Sequence, residues 1–157
     1  MTEIIGFFLI SWTDPWLIFL TAIGTFAGIY VGAIPGLSVT MATSILISFT
    51  FKWDVNEALA LISGIFFGGV YGGSRTAILL NIPGAPSAIA TAIEGYPLAK
   101  RGEAGEAIGL TTVMSVLGGF VGILALALFA PVISKFALMF QSRDYLLLGI
   151  ILSLIHI

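Results

Sequence analysis

The chain consists mostly of apolar positions, and its few charged residues divide it into runs long enough to cross a membrane. No charged residue occurs at positions 15–51 or 107–134, whereas about 20 apolar residues suffice to cross the hydrocarbon core. The first run is too long for one crossing, so the pattern predicts a break inside it. We therefore expect an all-α, polytopic transmembrane protein with Pro/Gly-broken helices, half of an inverted- or internal-repeat transporter.

Local signals place the first elements. Residues 1–12 are too short to span and are expected to lie at the interface, with Trp12 and Trp16 at headgroup depth. The first spanning helix is predicted from Pro15 to Ile34, with Asp14 as its N-cap. The Ile-Pro-Gly sequence at positions 34–36 should end this helix. A shorter apolar stretch follows at 37–51, then a charged turn capped by Asp54 or Asn56, then a helix from about residue 58.

The segment at 71–96 combines membrane-grade hydrophobicity with glycines, prolines, an Asn and an Arg. At membrane depth such a segment is tolerable only where it is buried in protein or lines a cavity, so we expect a broken helix and a candidate site. A polar loop is predicted at 94–106, with Lys100 and Arg101 favouring the cytoplasmic side. The next span should cover 107–130 and end or kink at Pro131. A further apolar segment begins at Tyr145.

Three sets of glycines recur at helical spacing: Gly24, Gly28 and Gly32; Gly64, Gly68 and Gly72; and Gly118 and Gly122. Each set lies roughly on one helix face, where a neighbouring backbone can approach closely. We interpret all three as packing surfaces.

Composition excludes several kinds of chemistry. The net charge of −2 provides no basic patch for nucleic acid. The chain has no Cys, and its one His is His156, which argues against a zinc site or a Ser-His-Asp triad. We predict no catalytic residues, no metal ligands and no cofactor, apart from a coupling ion, Na⁺ or H⁺.

Two segments, 33–45 and 81–93, share the sequence Ile-Pro-Gly followed by a fresh apolar stretch. Common membrane residues can match by chance, so a fortuitous likeness stays open. The alternative is that two half-helices begin after these breaks. Each would present free N–H groups and about half a positive charge, and two such ends facing one cavity would bind an anion. The predicted substrate-binding residues are Pro35, Gly36, Ser38, Thr40, Gly72, Gly73, Ser74, Arg75, Asn81, Pro83, Gly84, Ser87 and Thr91.

Three polar residues near the second break have alternative interpretations. Arg75 either faces a cavity and a carboxylate or snorkels to the headgroups. Asn81 either caps the preceding helix or contacts the ligand. Glu94 either pairs with Lys100 or Arg101 or binds a coupling cation.

The segment from Gly68 to Gly109, with its G-G-S-R-T-A-I-L-L-N-I-P-G-A-P-S core, resembles the large membrane subunit of the tripartite tricarboxylate transporters (TctA-like). G-x-x-x-G-x-x-P-G-L at 28–37 is similar to that family's first motif. The resemblance implies uptake of carboxylates such as citrate across the bacterial inner membrane, driven by an ion gradient. It also implies a small membrane subunit and a periplasmic solute-binding protein as partners.

The sequence also departs from that family. The family's subunit is about three times longer, so residues 1–157 are expected to form one transmembrane region from its N-terminal part. Residues 152–157 do not resemble the family, and we interpret them as a candidate foreign tail. The role of Arg75 is not inherited, since many members carry an uncharged residue there. A non-transporting assembly subunit and, less favoured, a membrane-embedded enzyme are the alternatives to a transporter.

Overall fold

The computed structural model describes residues 13–155, which form α-helices and one short 3₁₀ turn without any strand in that range. The predicted all-α class is therefore confirmed. The interfacial prediction for residues 1–12 lies outside the described residues. The elements are α1 (Pro15–Ala33), α2 (Val39–Thr50), α3 (Val55–Leu80), the 3₁₀ turn (Pro86–Ala88), α4 (Ile89–Lys100), α5 (Ala104–Ala137) and α6 (Ser142–Ile155).

Three of these helices, α1, α3 and α5, are long and apolar enough to cross a membrane. The 12 residues of α2 span only about 18 Å at 1.5 Å per residue, which is too short for a crossing. The chain is thus a multi-pass membrane protein whose first apolar run is interrupted, as the sequence predicts.

The predicted cap at Asp14 is present, and of the alternatives Asp54 and Asn56 the structure has Asp54 as the second cap. The carboxylate of Asp14 accepts the Trp16 N–H at 2.8 Å, and that of Asp54 accepts the Asn56 N–H at 2.9 Å. Each cap satisfies one of the unpaired donors at a helix start. Because Asp54 is the cap, α3 begins at Val55, three residues earlier than predicted.

Helices α1 and α3 pack backbone to backbone through their glycines. A Cβ on Gly28 would lie 2.3 Å from the Ile65 carbonyl oxygen, and one on Gly68 would lie 2.2 Å from the Thr25 carbonyl oxygen. The predicted glycine faces of these two helices are therefore confirmed, and they face each other. The contacts advance in the same direction along both helices, from Gly24 beside Gly64 to Gly32 beside Gly69. The two helices are consequently parallel.

Parallel neighbours require a return segment, and α2 supplies it. The first residue of α2, Val39, packs against Gly69, since a Cβ there would lie 2.6 Å from a Val39 methyl group. From that level the chain must travel back to the start of α3 at Val55. Helix α2 therefore runs antiparallel to α1 and α3 and begins part-way along α3.

After α3 the chain folds back before it becomes helical again. The Gly84 N–H donates to the Gly73 carbonyl at 3.4 Å, so the chain has returned about two turns along α3. Helix α4 then runs in the direction of α3. Ala88 and Ala92 form a buried cluster with Ala77, which joins α4 to α3.

Two predictions about helix ends are corrected. The polar loop predicted at 94–106 is mostly helix, because α4 continues through Pro97 to Lys100 and only residues 101–103 separate it from α5. Of the end or kink predicted at Pro131, the end is not formed, because α5 continues to Ala137. The φ of proline is compatible with a helix, so each costs chiefly a hydrogen bond and local crowding, which these helices accommodate.

The described residues from Met114 onward form a second compact unit. It holds the later part of α5 and all of α6. The Gln141 N–H donates to a carboxylate oxygen of Asp144 at 2.8 Å, which fixes the turn before α6. A Cβ at Gly118 or Gly122 would meet no atom within 4 Å in the described chain, so their predicted close approach is not formed there.

The glycine interface generates a stability prediction. Gly28→Ala should lower the free energy of unfolding by roughly 1–3 kcal/mol, because the new methyl overpacks a backbone contact. Gly122→Ala is the matched control, because its Cβ meets open space and Ala has the higher helix propensity. Thermal unfolding in detergent measures both. Equal melting temperatures for the two variants would contradict the proposed interface.

Candidate functional site

The first break is a tight turn between α1 and α2. The Ile34 N–H donates to the Val31 carbonyl at 3.2 Å, and the Leu37 N–H donates to the Ile34 carbonyl at 3.1 Å. Gly36 has φ +89°, a left-handed conformation that glycine adopts without steric cost. The break predicted at Ile-Pro-Gly is therefore formed.

The N-terminus of α2 after this break has no side-chain cap. Ser38 occupies the N-cap position, but its side chain makes no capping hydrogen bond, and its hydroxyl instead contacts the hydroxyl of Thr40. The first N–H groups of an α-helix have no partner within the helix. They are thus left available at the start of α2.

The second break begins at Asn81, whose left-handed φ of 58° ends α3. Its backbone N–H donates to the Ala77 carbonyl at 3.2 Å. Asn adopts this conformation more readily than most residues. The structure thus shows Asn81 as a cap, while a ligand contact through its side chain stays a prediction.

Gly84 holds the returning chain against two helices. A Cβ on it would lie 1.9 Å from the Gly32 carbonyl oxygen and 2.8 Å from the Gly73 Cα. Gly73 is equally confined, since its own Cβ would lie 3.1 Å from the Ala85 nitrogen. The end of α1, the middle of α3 and the second break therefore meet at one point through glycines.

A cavity of about 360 Å³ lies between the two breaks. The first break contributes Gly36 and Ser38, and the second contributes Pro83, Gly84, Ala85, Pro86 and Ile89. Ser38 is the N-cap of α2 and Ile89 is the first residue of α4, so the N-terminal ends of both helices border this cavity. Both ends carry partial positive charge from the helix dipole.

Four of the predicted site residues line the cavity: Gly36, Ser38, Pro83 and Gly84. Pro35, Thr40, Ser87 and Thr91 lie in the same two breaks or the first turns after them. Sequence reasoning missed Ala85, Pro86 and Ile89. Pro86 carried a usable signal, because proline favours the first turn of a helix and here opens the 3₁₀ turn.

The remaining candidate residues lie on α3 and make contacts outside the cavity lining. Gly72 faces α1, since its Cβ would lie 2.2 Å from the Ile29 carbonyl oxygen. Ser74 is buried, and its hydroxyl donates to the Val70 carbonyl at 3.2 Å. Gly73 packs against Gly84. Arg75 is exposed, and the cavity lining does not include it.

The contacts of Lys100 and Arg101 decide whether Glu94 pairs with either of them. The ammonium of Lys100 lies 4.9 Å from the centre of the Tyr96 ring, and Arg101 pairs with Glu103 at 3.8 Å. The expected pairing of Glu94 with either cation is therefore not formed among the described residues.

The two Ile-Pro-Gly copies have different local structures. Gly36 needs a positive φ, and a Cβ there would meet no atom within 4 Å. Gly84 has no such φ but would collide with Gly32. The same short sequence thus needs glycine for its backbone conformation in one copy and for close packing in the other.

Comparison with known proteins agrees with this architecture. The model of the tripartite tricarboxylate transporter TctA family matches residues 18–157. The chain belongs to this family. It is also 38% identical over 135 residues to a protein of Agrobacterium vitis, described as an uncharacterized 52.8 kDa protein in the TAR-I ttuC' 3' region. The match covers 84% of this chain and 27% of that relative. No solved structure matches.

The cavity can be tested by cysteine labelling, because the chain contains no native Cys. Ser38→Cys should react with a membrane-impermeant thiol reagent, since Ser38 lines the cavity and is exposed. Ser74→Cys is the matched control and should react at least about tenfold more slowly, because Ser74 is buried and burial makes a thiol inert. Equal labelling rates would contradict a water-accessible cavity at the first break.

Proposed function

We propose that the chain forms part of the membrane subunit of a secondary active uptake system for small organic carboxylates, with the cavity between the two breaks as its anion site. The observation that carries this proposal is the convergence of the two helix N-terminal ends on one cavity. A carboxylate there would accept hydrogen bonds from the free N–H groups at the start of α2 and interact favourably with both dipoles.

The chemistry of the lining supports an anionic ligand. Each helix end contributes about half a positive charge, and the Ser38 hydroxyl adds a hydrogen-bond donor. No carboxylate belongs to the cavity lining of the described chain, so no like charge opposes the ligand. The volume of about 360 Å³ falls within the range of small-molecule sites.

The depth of the cavity supports a transport role. It adjoins the level of Gly69 and Gly73, which lie within the later half of the 26-residue helix α3 and at least one turn before its end. Broken helices with a binding site at the midplane are characteristic of secondary transporters. A binder at the membrane surface would have no need of such a site.

The family supports the remaining parts of the proposal. A tripartite system would include a small membrane subunit and a periplasmic solute-binding protein, placed in and around a bacterial inner membrane. A Na⁺ or H⁺ gradient would drive uptake. Membership of a transporter family favours transport over the alternative of a membrane-embedded enzyme.

A non-transporting assembly subunit is the competing hypothesis, and ligand-induced stabilisation separates the two. Citrate at 100 times its Kd should stabilise the assembled wild-type protein by about 2.7 kcal/mol, measured as a rise in the melting temperature. An assembly subunit would show no such rise with any organic acid tested.

The anion site itself is tested by substitutions at Ser38. Ser38→Asp should weaken citrate binding and uptake at least about tenfold, because its carboxylate repels the ligand and occupies the helix end, while Asp remains a favourable N-cap. Ser38→Asn is the matched control, because Asn is an equally favourable cap without charge. The measurements are uptake of labelled citrate into vesicles holding the full assembly, and melting temperatures. Equal uptake by the Asp and Asn variants would place the anion elsewhere.

A further inference from the structure

Arg75 is a charged residue on a membrane-spanning helix, and no carboxylate of the described residues pairs with it. It lies five residues before the end of α3 at Leu80, and its side chain is exposed. Among residues 13–155, the ion pairs involve Arg101 and Arg143 but not Arg75. Because an unpaired Arg is costly inside a membrane, its position calls for a ligand.

The direction of the side chain argues against snorkelling. The guanidinium donates a hydrogen bond to the hydroxyl of Tyr71 and lies 4.4 Å from the centre of its ring. Tyr71 precedes Arg75 by one helical turn, so the guanidinium points toward the middle of α3. The nearer end of the helix lies about 7.5 Å away in the opposite direction. A snorkelling side chain would extend toward that end.

A second helix holds this arrangement in place. The Tyr71 hydroxyl is also hydrogen-bonded to the Thr112 hydroxyl of α5 at 2.8 Å, and the Thr112 hydroxyl in turn donates to the Ile108 carbonyl at 2.8 Å. Tyr71 is thus fixed between two helices, and it fixes the guanidinium by a hydrogen bond and by ring contact. A positioned guanidinium binds a carboxylate with less loss of side-chain entropy.

This group lies on the opposite side of α3 from the cavity. Arg75 follows Gly73, which supports the cavity, by two residues and therefore by about 200° around the helix. The guanidinium lies near the level of Tyr71, between Gly69 and Gly73 in the sequence. It is thus at a depth similar to that of the cavity but separated from it by the body of α3.

We infer that Arg75, positioned by Tyr71 and Thr112, forms a second binding position for the carboxylate of a small organic acid. This inference rests on the proposed function and adds to it a separate place where the transported anion binds. The planar guanidinium can donate two parallel hydrogen bonds to a carboxylate, a geometry that a Lys ammonium does not provide.

Substitutions at Arg75 test the inference in the full assembly, with labelled citrate as the probe. Arg75→Gln should raise the KM for uptake about ten- to hundredfold, the range expected for losing charged hydrogen bonds. Arg75→Lys should restore only part of the affinity, because it keeps the charge without the fork. Tyr71→Phe should give an intermediate KM, since it keeps the ring and removes the hydroxyl. Arg143→Gln is the control, because that exposed Arg lies in the first turn of α6.

Three outcomes overturn the inference. The KM of Arg75→Gln could equal that of the wild type. Arg75→Lys could restore the affinity completely, which would indicate a general need for charge. Arg75→Gln could lower the melting temperature without citrate and leave the KM unchanged, which would indicate a carboxylate of the protein as the partner. Failure of the proposed function is distinguishable, because the wild type itself would then show neither citrate uptake nor citrate-induced stabilisation.

Discussion

The structure of residues 13–113 depends on the direct backbone contact between α1 and α3. Lipid tails are as apolar as the side chains that face them, so helices in a membrane associate through close packing rather than through hydrophobic burial. Glycines at 24, 28 and 32 and at 64, 68 and 72 provide that packing. Because the contact holds the two helices parallel, the chain between them must return within the protein. The short helix α2 and the first break follow from that requirement.

Helix α3 contacts α1, α2 and the second break because its glycines come in adjacent pairs. Successive residues of a helix point about 100° apart, so the two glycines of a pair face different partners. Gly68 and Gly72 contact α1, whereas Gly69 faces Val39 of α2 and Gly73 faces the chain at Ala85. The contact that joins the spanning helices and the contact that positions both breaks thus come from one stretch of α3. A substitution in either glycine of a pair would therefore disturb a different part of the fold.

Features governed by local rules could be predicted from the sequence, and features governed by long-range packing could not. The caps at Asp14 and Asp54, the two breaks and the facing glycines follow from residue type and spacing, and the structure has them all. The continuation of α4 to Lys100 was missed, because charged and polar residues indicate exposure to water and do not by themselves distinguish a loop from an exposed helix. The position of Arg75 away from the cavity could not be predicted either, since the sequence does not reveal where the chain returns to α3.

The separation of the cavity from Arg75 has a physical consequence for an anion that must be both bound and released. Burying a fixed charge beside an anion gives strong attraction in a medium of low dielectric constant, and a site that binds too strongly releases its ligand slowly. Helix ends spread their partial charge over several N–H groups, so the proposed site would attract an anion without a buried cation. The guanidinium lies instead on the other side of α3, where the hydroxyl of Tyr71 accepts its hydrogen bond. An anion in the proposed site would be held by hydrogen bonds and dipoles that can be exchanged for water on release.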